Sequence, residues 1–425
     1  MNKLLEFKLK AEDLDNQDPI KEFKSRFVSL HDSGKIYFCS HSLGLPAISS
    51  FSNMQKQLQN WAKLGVDGWF SSESDWYNSF DIPLRRPLSN LLGAKFNEVI
   101  VMNSLTVNLH LLLVSFYRPT NTRFKILIDS PTFPSDLYAI KSHIYYHGLN
   151  PDEVLIIMEP RSGEQIIRIE DIQQIILEKG ETIALVFLSS INFLTGQVFD
   201  MELITKLAKS KGCLVGYNVA HALGNVPLQF HKWNVDFAVG CSYKYLCGGP
   251  GGPGIAYIHS YHHNEELFRF SGWWGNDPKT RFQMHLQAEF IPYGGAYGWQ
   301  VSTPSVLAMT PLVASLEIFE EIGINNLREK SKKQVDFLLE FFDLIPSYLF
   351  EVITPRSCEF RGSQLSLFMH TRNYKKYLKK LEEKGIVCDF RPPNIIRVAP
   401  SPLYNTFNEI FEFSCKIFDI FGIKV

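Results

Sequence analysis

Lys244 stands in Cys241-Ser242-Tyr243-Lys244-Tyr245-Leu246, at the end of an apolar run and directly before Cys247-Gly248-Gly249-Pro250-Gly251-Gly252. A strand that ends in a lysine and passes into a glycine-rich loop aims an amine into a cleft, and the glycines leave room for close backbone approach. In an apolar or cationic setting such an amine loses its proton more readily and becomes a nucleophile toward carbonyl carbon. That is the setting of a Schiff-base lysine. Taken alone, a strand-end lysine is more often solvated, so the assignment depends on what surrounds it.

Four other strand ends carry polar clusters. Val99–Met102 leads to Asn103-Ser104-Leu105-Thr106 at a helix start, where free backbone N–H groups and two hydroxyls suit a phosphate. Lys125–Ile128 leads to Thr132-Phe133-Pro134-Ser135-Asp136, which offers a ring for stacking and a carboxylate. Ile183–Leu188 leads to Ser189-Ser190-Ile191-Asn192, and Cys213–Tyr217 leads to Asn218-Val219-Ala220-His221. Individually these read as caps, turns and a satisfied core histidine. Together with Lys244 they suit one phosphate, one flat ring and one aldehyde, which are the parts of pyridoxal phosphate. Arg397, in Ile395-Ile396-Arg397-Val398, is a fork for an amino-acid carboxylate or, more plainly, half of a surface ion pair.

The elements that must position these groups are legible from periodicity. Short apolar strands at Val99–Met102, Lys125–Ile128, Ile183–Leu188, Cys213–Tyr217, Val235–Val239 and Gly254–Ile258 alternate with helices Leu105–Tyr117, Ile169–Leu177 and Met201–Lys211, and with a further helix capped by Ser135. This pattern predicts an α/β fold with a mostly parallel central sheet covered on both faces, where ligands bind beyond the carboxyl ends of the strands. Residues 1–70 read as a mostly helical arm with an extended piece at Ile36–Cys39, and 71–303 as the large α/β domain. Residues 304–425 read as a smaller α+β domain: helices Leu307–Ile322, Asn326–Phe342, Asn373–Glu383 and Phe407–Phe421, with strands at Leu365–Met369 and through Ile396-Arg397-Val398.

Composition narrows the class. In 425 residues, 45% are hydrophobic and 20% charged, ordinary for a globular protein with a large core, and the net charge of −1 argues against nucleic-acid or membrane-surface binding. The longest apolar runs, such as Leu111–Phe116, are too short to cross a bilayer. The lysine- and acid-mixed N-terminus does not read as a signal peptide. Seven dispersed cysteines without CxxC spacing imply reduced thiols and a cytoplasmic setting. His262-His263 has no third ligand nearby in sequence, so no metal site is expected.

The chain resembles kynureninase, a family of pyridoxal-phosphate-dependent homodimers of the aspartate-aminotransferase fold (fold type I). The resemblance spans nearly the whole chain. It is densest in Ser42-Leu43-Gly44-Leu45, Leu105-Thr106-Val107-Asn108, Phe133-Pro134-Ser135-Asp136, Ala220-His221-Ala222 with Gly224-Asn225, Ser242-Tyr243-Lys244-Tyr245-Leu246, Gly272-Trp273 with Gly275, and Arg397-Val398-Ala399-Pro400 with Pro402-Leu403-Tyr404-Asn405. It implies that Lys244 bonds covalently to the cofactor and that Tyr243, Leu105 and Thr106 hold its phosphate. Phe133 would stack on the ring, and Ser135, Asp136, Ser189 and His221 would surround it. Trp273 would reach across a dimer interface into the pocket, and Arg397 would take the substrate carboxylate. The implied reaction is hydrolytic Cβ–Cγ cleavage of L-kynurenine, its 3-hydroxy form or a ring-modified analogue to an anthranilate and L-alanine.

The departures from the family pattern also fall at the site. Asn218 stands where the family has the aspartate that pairs with the pyridine nitrogen. Leu194 replaces a tyrosine, Thr303 replaces an asparagine near cofactor and substrate, and His41 replaces the asparagine beside the substrate ahead of Ser-Leu-Gly-Leu. These leave two alternatives beside the kynureninase reading: a relative turned to another amino acid, and a cofactor-binding homologue without turnover.

Overall fold

The computed structural model describes residues 3–74, 76–77, 80–370 and 374–424. After a short strand β1 (Ile36–Tyr37) come β2 (Val99–Val101), β3 (Lys125–Asp129), β4 (Leu155–Met158), β5 (Ile183–Ser189), β6 (Leu214–Asn218), β7 (Phe237–Cys241) and β8 (Gly254–Ile258). The last seven form one sheet in the order β2-β8-β7-β6-β5-β3-β4. Strands β3 to β7 pair in parallel, and β8 alone runs antiparallel to both its neighbours.

Strand β5 shows why the sheet forms. All seven of its residues are buried. Val186 and Leu188 pack into the core on one face, with Val215, Tyr217 and Ala238. Leu185 and Phe187 pack into the other, with Ile126, Ile128 and Val239. Apolar residues at every position, rather than every second one, follow from helices covering both faces. The expected strands are present, shifted by a residue or two. β4 was not expected: Leu155, Ile156 and Ile157 are only partly covered, as befits an edge strand.

A second, antiparallel sheet in the order β12-β13-β10-β9 comprises β9 (Phe350–Val352), β10 (Leu365–Met369), β12 (Asp389–Arg391) and β13 (Ile395–Val398). Helices Ile324–Phe342, Tyr374–Glu383 and Phe407–Phe421 flank it; Asn373, expected to begin the middle one, lies outside the described residues. The first helix, Lys3–Asn16, contributes Phe7 and Ala11 to this smaller core. Strand β1 pairs with β11 (Ile386–Val387), stitching the N-terminal segment to the same unit. Helix Val306–Ile322, by contrast, buries Met309, Leu312, Leu316 and Phe319 in the core of the large sheet, so the chain changes core one helix after residue 304.

One local expectation is corrected. Ser135 does not cap the helix after β3. That helix runs Pro134–Tyr146 with Phe133 at the cap and no side-chain cap bond. Pro134 has a fixed φ and no N–H to lose, so it starts the helix two residues earlier and frees the Ser135 hydroxyl for another partner.

Candidate active site

Five strand ends converge as the parallel topology requires. Lys244 follows β7, and its Nζ lies 3.1 Å from His221 Nε2, which follows β6. The Lys244 amine is half-buried and its pKa is lowered, first by desolvation and also by Arg397, against the opposing pull of Cys241 and Asp136. His221 and His41 are buried, and desolvation drives both well below the usual imidazole range, so both rings are neutral. Their centroids are 6.5 Å apart.

The backbone under Lys244 is held by the N-terminal segment. Gly44 N–H donates to Tyr243 O at 2.8 Å. A Cβ on Gly44 would come within 2.4 Å of Lys244 O and 2.5 Å of Cys247 Sγ, so only glycine fits this contact. Two residues earlier, Ser42 Oγ donates to Asp389 Oδ2 at 3.0 Å, which ties the same turn to β12.

Helix Leu105–Phe116 begins without a side-chain cap at Ser104, leaving the first-turn N–H groups of Leu105 and Thr106 unclaimed by one. Thr106 Oγ1 and Ser135 Oγ lie 2.9 Å apart, joining this helix start to that of Pro134–Tyr146. The cradle is an anion site by geometry and dipole. Phe133 is 37% exposed, packs edge-on against Phe193 at 5.3 Å and has Lys244 Nζ 6.0 Å from its ring centre. Its outer face is therefore open to a flat ligand. Tyr243 keeps its phenol proton because burial raises its pKa, so it serves as a hydrogen-bond donor.

Between these groups lies a carboxylate–amide pair. Asn218 Nδ2 donates to Asp136 Oδ2 at 2.5 Å, while Asn218 Oδ1 accepts from Ala220 N–H at 2.9 Å. Asp136 is 1% exposed and its Oδ1 has no partner among the described residues. Burial raises its pKa to about 6, the Asn218 hydrogen bond opposing this. Ser189 pairs beside Asn218 in the sheet. Its N–H donates to Asp129 Oδ1 at 2.8 Å.

Arg397 is 1% exposed, with Nε 2.9 Å from Asp389 Oδ1 and Nη1 2.6 Å from Phe193 O. It is not half of a surface ion pair but a buried cation, and its charge bears on Lys244, His221 and His41. The structure also supplies residues that the sequence did not single out. Asp389 anchors both Arg397 and Arg391, lying opposite Arg397 in the β12–β13 register. Asp129 is a buried acid beneath Ser189 and Asn192. The signal for Asp129 was present, a carboxylate at a strand end; the signal for Asp389 required the register.

Trp273 and Thr303 are placed differently. Trp273 is 36% exposed and touches Trp274 and Phe282, at 5.0 and 6.0 Å. Thr303 lies half-buried just ahead of helix Val306–Ile322. Among the described residues no hydrogen bond or ring contact joins either to the Lys244 cluster. Leu194 offers only backbone: its O accepts from Ser366 Oγ at 2.6 Å. His262, weighed as a metal ligand, is spent on Asp236 and Glu265 at 2.8 and 2.6 Å. Elsewhere Glu98, His231 and His259 bring ligand atoms within 4.8 Å of one another, but the Glu98 oxygens already accept from Lys95 N, Ser260 N and the His231 ring.

This arrangement of strand-end groups over a mostly parallel sheet is that of fold type I. The solved structure of the cystine C–S lyase C-DES, with glycine linked to its PLP cofactor, superposes with a TM-score of 0.77 at 18% identity, covering 93% of this chain and 99% of that one. Sequence comparison is more specific. Residues 327–417 match the kynureninase C-terminal domain. A kynureninase from Koribacter versatilis is 45% identical over 407 residues, 95% of each chain. One from Nematostella vectensis is 41% identical over 433 residues, covering 95% of this chain and 91% of its own. The chain belongs to the kynureninase family.

Proposed function

We propose that the protein hydrolyses the Cβ–Cγ bond of L-kynurenine or 3-hydroxykynurenine, or of a ring-modified analogue, to give an anthranilate and L-alanine, with pyridoxal 5'-phosphate as cofactor. The observation that carries this reading is the Lys244 amine, desolvated and 3.1 Å from a neutral His221, in a chain that aligns over 95% of its length with kynureninases. The residues present fit the cofactor. An uncapped helix start with paired hydroxyls suits its phosphate, the open face of Phe133 suits its ring, and the orphaned Asp136 Oδ1 suits a polar ring atom.

When bound, pyridoxal phosphate supplies an aldehyde for the amine and a ring that withdraws electrons from the substrate α-carbon. The chain's own groups do the rest. Leu105, Thr106, Ser135 and Tyr243 fix the phosphate end. Phe133 would cover one face of the ring, and Ser189, Asn218, His221 and Asp136 would surround it. Lys244, whose pKa burial lowers, would hold the cofactor's aldehyde carbon and, once released to substrate, would move the α-proton. Arg397, immobilised by Asp389 and Phe193 O, presents its remaining N–H groups to the substrate carboxylate. His41, within electrostatic reach of Arg397 and buried with no hydrogen-bond partner on either ring nitrogen among the described residues, is left to contact substrate.

We assign Trp273 and Thr303 to the pocket of a second protomer, so that the working unit is a homodimer. The exposed apolar side chains around Trp273, namely Phe268, Phe270, Phe282, Leu286 and Ile291, support this reading. All seven cysteines are unpaired, in keeping with a cytoplasmic setting, and among the described residues no helix is long and apolar enough to cross a membrane. Purified protein with pyridoxal phosphate will release anthranilate from kynurenine or its 3-hydroxy form, and Lys244→Ala will abolish both the release and the visible absorbance of the bound cofactor. Absence of release from either compound would overturn the assignment.

A further inference from the structure

The inference drawn next rests on pyridoxal phosphate being the ligand, and it concerns which residue replaces the missing aspartate at position 218. An amide there cannot do a carboxylate's work. The Asn218 side chain is locked in one orientation: its Oδ1 accepts from Ala220 N–H at 2.9 Å, so its NH2 must face Asp136 Oδ2, 2.5 Å away. Reversing the amide would set two oxygen acceptors against each other and leave the Ala220 N–H unmet. An NH2 group is a donor only and cannot stabilise a proton on a ring nitrogen.

Two buried carboxylates lie close by, and their hydrogen bonds distinguish them. Asp129 is fully committed, with Oδ1 accepting from Ser189 N–H at 2.8 Å and Oδ2 from Asn192 Nδ2 at 3.1 Å. Asp136 has one oxygen engaged and the other, Oδ1, buried without a partner among the described residues. A bare, fully desolvated carboxylate oxygen is costly unless something completes it. It sits on the first turn of the helix after β3, beside the two hydroxyls of the phosphate cradle and within electrostatic reach of Lys244.

We propose that Asp136 is the charge partner of the cofactor's pyridine nitrogen, with Asn218 acting as a positioning residue that clamps the other carboxylate oxygen and so aims Oδ1 at the ring. The ring is then held protonated despite the amide at 218, and the electron-withdrawing power that the reaction needs is retained.

The test is the nitrogen-15 chemical shift of ring-labelled pyridoxal phosphate bound to the protein, together with cofactor affinity by equilibrium dialysis. The wild type is expected to show the upfield shift of a protonated ring nitrogen. Asp136→Asn is expected to show a neutral ring and about 10- to 150-fold weaker binding, the range of one charge-assisted hydrogen bond. Asn218→Asp is expected to remain protonated. A neutral ring in the wild type overturns the proposal without recourse to any variant, as does an Asp136→Asn protein that stays protonated at unchanged affinity. In both cases cofactor binding at Lys244 survives as a conclusion. Failure of the wild type to bind the cofactor at all would instead overturn the functional reading and this proposal together.

Discussion

At the residue scale, the pair Asp136–Asn218 decides how well the site works. If Asp136 already supplies the charge, Asn218→Asp adds a second carboxylate beside it and little is gained; kcat/KM for kynurenine should change by less than about tenfold. Asp136→Asn should lower it by about 10- to 150-fold, the cost of one charged hydrogen bond felt in the transition state. Steady-state kinetics of the two variants discriminates between the roles. The same carboxylate makes the cofactor-free protein sensitive to pH. Burial raises the Asp136 carboxyl from 3.8 to about 6, so the folded chain holds that proton more tightly than the unfolded chain. Its contribution to stability is complete below the unfolded value and is lost as pH rises through about 6. Asp129, also raised to about 6, acts in the same direction, while Lys244 and Asn218 oppose it. The depressed imidazoles of His41 and His221 act the opposite way, so the Asp136 share is read as a difference: between pH 4 and 7 the cofactor-free wild type should lose melting temperature relative to Asp136→Asn, and parallel profiles would remove Asp136 from this role.

At the element scale, the recurring theme is that turns from distant parts of the chain buttress the strand ends. Gly44 lies against Lys244 O, and Asn225 links the turn after β6 to Ser363 N–H at 3.0 Å and to His221 O at 2.9 Å. Gly44→Ala forces a Cβ into backbone and should destabilise the protein by about 1–3 kcal/mol, read by denaturant titration, with loss of cofactor affinity because Lys244 moves. Much of this scale was legible in the sequence. Apolar runs located six of the seven central strands, and their polar ends gathered Leu105, Thr106, Phe133, Asp136, Ser189, Asn218, His221 and Lys244. Strand β4 escaped because an edge strand with half-exposed side chains lacks a continuous buried run. The antiparallel direction of β8, the Asp389–Arg397 register and the orphaned Asp136 oxygen are properties of pairing and packing across the fold, and no local pattern encodes them.

At the scale of the whole molecule, two cores meet over the site. The N-terminal helix Lys3–Asn16 packs with the small unit, yet the segment that follows it reaches the Lys244 loop through Gly44. Arg397 enters from the small unit's own sheet. What a single chain leaves incomplete is the side to which Trp273 and Thr303 are assigned. If they serve a second protomer, mixing inactive Lys244→Ala with impaired Trp273→Ala protein under subunit exchange should restore activity, because each mixed dimer holds one site with both groups intact. Sedimentation should show dimers throughout. Mixtures no more active than their parts would place Trp273 in its own chain's pocket.

This chain, amide and all, is expected to cleave an aryl-ketone amino acid at Lys244. The most direct measurement is product analysis of purified protein given pyridoxal phosphate and L-kynurenine or 3-hydroxykynurenine. Equal amounts of L-alanine and the corresponding anthranilate are expected, and neither from Lys244→Ala. Bound cofactor with no anthranilate from either compound would contradict it.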